Sequence, residues 1–121
     1  VTYASIRDYW IAYRERSDED NVASKSSQFV VLDLYKLYRT LSADERHEID
    51  KLLEEQLGSD DATVRFDSMA VIEEFRIISA VPGLHDLAAR LKDIDGPQAR
   101  HECEKAQSLI RDLETSDDND P

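Results

Sequence analysis

At 121 residues and 13.9 kDa the chain is the size of one domain, with 40% hydrophobic and 35% charged residues. Three Gly and three Pro leave too few turn signals for a β-sandwich or barrel, and the apolar content excludes global disorder. Against 15 Lys and Arg stand 27 Asp and Glu, a net charge of −12; this sets the surface against nucleic acid and anionic membranes and favours a basic protein partner.

Tyr3, Ile6, Trp10 and Tyr13 recur at helical intervals and predict a first helix over residues 3–16. Residues 17–27 contain Asp18-Glu19-Asp20-Asn21 and four serines, and read as a solvated loop. Phe29-Val30-Val31-Leu32 would suit a buried strand as well as a helix. Val31, Leu34, Tyr35 and Tyr38 share one helical face and decide for a helix over 29–40. Ser42-Ala43-Asp44-Glu45 has the spacing of a capping box, in which hydroxyl and carboxylate each take the other residue's amide. Ile49, Leu52, Leu53 and Leu57 form the stripe of that third helix, and Gly58 is expected to end it in a left-handed conformation.

A fourth helix is expected after Asp60-Asp61, either of which can cap it, and runs to about residue 79. Its stripe is Val64, Val71, Phe75 and Ile78, widened by Met69 and Ile72. Pro82 opens a fifth helix, where a missing amide hydrogen costs nothing, and Leu84, Leu87, Ala88 and Leu91 line its face. Pro97 opens a sixth, with Ala99, Cys103, Ala106, Ile110 and Leu113 apolar. Residues 1–115 are expected to form a single domain and 116–121 a frayed acidic tail.

Asp60 to Arg65 align with Asp95 to Arg100 at an offset of 35 residues, which pairs Val64 with Ala99, Val71 with Ala106, Phe75 with Ile110 and Ile78 with Leu113. An apolar face recurring in phase is the signal of stacked helical hairpins. With Asp61-x-x-Val64-Arg65 opening one helix and Pro82-x-Leu84-x-x-Leu87 the next, the chain resembles HEAT-like repeats, clearly over about 43–92 and partially over 95–115. The resemblance implies an α-solenoid fragment in which Asp61 and Arg65 make structural contacts between repeats. Its second helices, 42–57 and 82–92, would line a concave face that binds another macromolecule.

Catalytic patterns fail one by one. His101-Glu102-Cys103-Glu104-Lys105 begins like a zinc-protease helix but places Lys105 where the second ligand must stand. Cys103 falls in an apolar stripe and is expected to be packing. Asp44 and His47 have the spacing of a carboxylate-bridged metal site but lie opposite the apolar stripe. Gly58, Gly83 and Gly96 are too scattered for a phosphate loop, and no nucleophile elbow is present. No stripe contains a carboxylate, and Asp33 and Asp67 are expected at solvated edges.

The fold expected is therefore all-α, a HEAT-like stack of about three hairpins built from about six helices. No cofactor, metal or catalytic residue is expected. The function expected is a non-catalytic protein-binding module with an acidic face made of Glu48, Lys51, Glu54, Glu55, Asp60, Asp61, Asp86, Arg90 and Asp93. In size, charge and fold it looks like the immunity proteins that bacteria pair with secreted toxins, which implies a basic toxin domain as partner. An adaptor that takes a peptide or helix in an apolar groove is the alternative, and a metal-dependent enzyme using carboxylates and His47 the third class. Cys103 as the sole cysteine, the lack of any apolar run near the ~18 residues of a membrane span, and an opening decapeptide unlike a signal sequence set the expected location as cytoplasmic.

Overall fold

Apolar residues spaced three and four apart build helices along the whole chain. A computed structural model describes residues 5–20 and 27–118. Six α-helices account for most of them: α1 (Ile6–Asp20), α2 (Ser27–Thr40), α3 (Ala43–Gln56), α4 (Ala62–Phe75), α5 (Val81–Lys92) and α6 (Pro97–Asp118), with a 3₁₀ turn at Ile78–Ala80. There is no strand among the described residues, so the all-α expectation holds. The chain divides into two compact units, Val1–Leu52 and Leu53–Pro121.

In the first unit α1 packs on α2. It extends to Asp20, four residues past the predicted end, because Ser17 is buried and its hydroxyl donates to Asp33 at 2.5 Å. That bond draws an otherwise polar turn onto α2 and leaves Asp33 half-buried, where a solvated edge was expected. Of the predicted loop, residues 21–26 lie outside the described residues. The α2 core face is Val30, Leu34, Leu37 and Tyr38; it is rotated from the predicted one, leaving Val31 and Tyr35 half-buried. Trp10 is fully buried and meets the Tyr38 ring edge-on, with centroids 6.4 Å apart. The predicted capping box forms, with the Ser42 amide donating to Glu45 at 2.8 Å and the Glu45 amide to the Ser42 hydroxyl at 3.2 Å.

In the second unit the apolar stripes of α5 and α6 face each other, and α4 also touches α6. Leu84, Leu87, Ala88 and Leu91 are buried as predicted, as are Cys103, Ala106, Ile110 and Leu113. Helices α4 and α6 start 35 residues apart, at the offset of the internal alignment. Three expectations fail in this unit. Helix α4 stops at Phe75 because Arg76 turns left-handed, with φ 51°. Its amide donates to the Glu73 carbonyl and that of Ile77 to Ile72, the paired bonds of a Schellman stop. Ile78 is thereby released from the stripe and is 45% exposed, while Ile77 and Ala80 are buried. Gly58, expected to be left-handed, lies instead in a run of tight amide bonds, Gly58 to Glu55 and Ser59 to Gln56, both 3.0 Å; the glycine with positive φ is Gly96, at 121°. Helix α6 continues through Asp118, beyond the point where a frayed tail was expected, and residues 119–121 lie outside the described residues.

Two further carboxylates depart from expectation. Asp67 is 3% exposed and Glu102 4%, although neither was predicted to be buried. Glu102 is held by a two-pronged pair with Arg65, Nε to Oε2 at 2.6 Å and a terminal nitrogen to Oε1 at 2.9 Å, and the third Arg65 nitrogen donates to the Ser59 carbonyl at 2.9 Å. Arg65 thus ties α4 to α6, and its hydrogen bond to Glu102 raises the guanidinium above its ordinary pKa.

Candidate functional site

Charge is distributed unequally along the chain. Residues 53–121 hold 17 Asp and Glu against 7 Lys and Arg, whereas residues 1–52 hold 10 against 8. Nearly all the negative excess therefore belongs to the second unit, which makes its surface the candidate for recognition.

A groove of about 680 Å³ lies between the end of α3 and the length of α5. It gathers four of the nine predicted residues: Glu54, Glu55, Asp86 and Arg90. Two of them are committed to the fold. The Glu54 carboxylate accepts from the Gly83 amide at 2.8 Å. Helix α5 has no side-chain cap of its own, and Glu54 supplies one from a neighbouring helix at the positive end of the dipole. Gly83 makes this approach possible, since a Cβ there would stand 2.4 Å from Glu54 Cγ. In the opposite direction, a terminal nitrogen of Arg90 on α5 donates to the Leu57 carbonyl at 2.7 Å, satisfying an orphan acceptor just past the end of α3. Helices α3 and α5 are clasped by two charged groups, each serving the other helix's terminus.

Glu55 and Asp86 remain exposed at the rim of this groove, over a floor that includes Leu57 and Ala89. Asp86 has no hydrogen bond or ion pair among the described residues. Asp93 is exposed at the C-terminal cap of α5. Asp60 and Asp61 are exposed before α4, and Asp61 caps it by accepting from the Thr63 amide at 2.9 Å. Glu48 and Lys51 are exposed on the part of α3 that belongs to the first unit. The predicted set therefore divides: Glu54, Asp61 and Arg90 hold helix ends, and Glu55, Asp60, Asp86 and Asp93 present charge to solvent.

The i, i+3 spacing of Asp44 and His47, which the sequence already discounts as lying opposite the apolar stripe, gathers no ligand cluster among the described residues. Asp44 and His47 are both exposed, and among the described residues no three His, Cys, Asp or Glu side chains converge on one point. His47 instead borders a shallow site with Tyr38, Arg46 and Asp50. There the Tyr38 hydroxyl donates to Asp50 at 2.8 Å, and the Arg46 guanidinium lies 5.0 Å above the Tyr38 ring while donating to the Tyr38 and Arg39 carbonyls. Burial raises the pKa of both Tyr38 and Asp50. These contacts tie Tyr38, Arg46 and Asp50 together at the α2–α3 corner. Cys103 is buried, its Sγ 3.6 Å from the Ala88 carbonyl, as core packing predicts.

Comparison with protein-family models, with curated proteins and with solved structures gives no match for this chain. Sequence reasoning missed the roles of Glu54 and Arg90 as structural clasps; it expected a structural contact at Arg65 but not its partner Glu102. The one visible hint was Gly83, a glycine in the first turn of a helix already opened by Pro82. No helix among the described residues is long and apolar enough to cross a membrane.

Proposed function

We propose that the chain is a non-catalytic protein-binding module whose acidic second unit covers a basic protein partner, in the manner of an inhibitor of a toxin domain. The observation that carries this reading is the excess of 17 acidic over 7 basic residues in 53–121, combined with the exposed carboxylates of Glu55, Asp86 and Asp93 along α3 and α5. Opposite fields steer encounter and exclude wrong partners, which suits an inhibitor that must find its target quickly. HEAT-like stacking is part of the same proposal: the acidic groove runs between α3 and α5, the helices that such repeats turn toward a ligand. A reducing cytoplasm fits a single, buried cysteine.

Capture of proteins on the immobilised chain at low and at high salt tests this reading. It predicts a retained protein of strongly basic pI, released by salt and lost when Glu55, Asp86 and Asp93 are all replaced by lysine. Glu54 is left unchanged, because its carboxylate caps α5. A neutral or acidic partner, or retention that survives the triple reversal, would refute it.

A further inference from the structure

A second groove in the same unit, about 870 Å³, lies where the first turns of α4 and α6 meet the α5–α6 connection. Apolar side chains make most of its wall, Phe66, Leu91, Pro97 and Ala99 with Ile94 standing 55% exposed at the edge, and Thr63, Asp95, Gln98 and His101 interrupt them. The half-buried Arg65 and buried Glu102 that border it satisfy each other, which leaves Asp95 and His101, both exposed, as the titratable groups of the lining. It is a mainly apolar slot with a polar edge in a strongly charged unit, and surfaces of that kind take apolar anchors from a partner.

Charge selects among the possible occupants. A second copy of this chain would bring 27 further acidic residues against 15 basic ones to the same field. Around the slot, Asp95 lines the wall, Asp93 precedes Ile94, and Asp60 and Asp61 precede the first turn of α4, all four exposed. Of the nearby cations, Lys105 lies over the Phe66 ring at 5.8 Å, while Lys92 and Arg100 are exposed. The net field of the unit stays negative. We infer that the slot receives an amphipathic helix of the basic partner, its apolar residues at i, i+3 or i+4 entering between Phe66, Ile94 and Ala99 and its Lys and Arg side chains meeting the surrounding carboxylates. This inference rests on the acidic-module reading and names the part of the partner that is gripped.

The test uses two synthetic peptides of identical Leu and Lys composition, one patterned as an amphipathic helix and one scrambled, titrated into the full chain by fluorescence anisotropy. Ile94→Asp adds a negative charge at an exposed position and removes the apolar edge. The slot predicts that the patterned helix binds Ile94→Asp at least tenfold more weakly, while the scrambled peptide binds both proteins alike. Ala62→Trp, which fills the slot from an exposed first-turn position, should give the same loss. If the patterned helix binds Ile94→Asp and Ala62→Trp as tightly as the unaltered chain, the slot is not the seat, although charge-based recognition still stands. If neither peptide binds, the acidic-module reading fails with it. A peptide-free chain that dimerises in sedimentation, and that Ile94→Asp makes monomeric, would assign the slot to a second copy and overturn the inference.

Discussion

Gly83→Ala is a substitution whose sign depends on one other side chain. Alanine is favoured over glycine inside a helix by about 1 kcal/mol, so at an unobstructed site in α5 the change should stabilise. Here the new Cβ would stand 2.4 Å from Glu54 Cγ, an atom too near the α3 backbone to swing aside cheaply. Glu54 must move, and the 2.8 Å bond to the Gly83 amide is lost with it. Overpacking or loss of a charge-assisted cap each costs ~1–3 kcal/mol, and relieving the first incurs the second, so only one applies. The net expectation is destabilisation of about 1 kcal/mol in the unaltered background. With Glu54→Ala already in place the obstruction is gone and Gly83→Ala should stabilise by ~0.5–1 kcal/mol. Urea unfolding of the four proteins, with unchanged m-values, gives the coupling directly, and its expected size is about 2 kcal/mol. A Gly83→Ala effect of the same sign and size in both backgrounds would refute the clasp between α3 and α5.

The other buried or strained groups give equally direct expectations. Arg65→Met leaves the Glu102 carboxylate buried without its partner and should cost ~3–5 kcal/mol in urea unfolding, most of it recovered in the Arg65→Met/Glu102→Met double variant. Arg76→Gly relieves a left-handed residue at the end of α4 and should stabilise by up to ~1 kcal/mol, whereas Arg76→Val should destabilise. Asp50 has a pKa raised by burial, so the folded chain holds its proton to higher pH than the unfolded one. Its contribution to stability is fully present at low pH and falls as pH rises through the folded value. Asp50→Asn should therefore gain relative to the unaltered chain between acid and neutral pH, and a pH series of unfolding midpoints that runs parallel for the two would contradict this.

Stripes repeating every three or four residues made the helices of the second unit legible: α5 is apolar at Leu84, Leu87, Ala88 and Leu91, and all four are buried. The capping box at Ser42 and the cap at Asp61 were legible for the same reason, since a cap is decided by residues within one turn. The end of α4 was not. Left-handed stops are signalled by glycine, and this one uses Arg76, whose guanidinium also reaches the Asp112 carbonyl at 3.1 Å. Long-range pairs were equally hidden, because no local rule links Glu54 to Gly83 or Arg65 to Glu102. Of the candidate site, the acidic residues were visible but their division into structural and exposed groups was not. Carboxylate type is the same whether it caps a neighbouring helix or faces solvent.

Binding kinetics of the captured partner across a range of salt concentrations would test the central claim most directly. Recognition through the acidic unit predicts an association rate constant that falls steeply with ionic strength and a dissociation rate constant that changes little. An association rate that is flat with salt would contradict it.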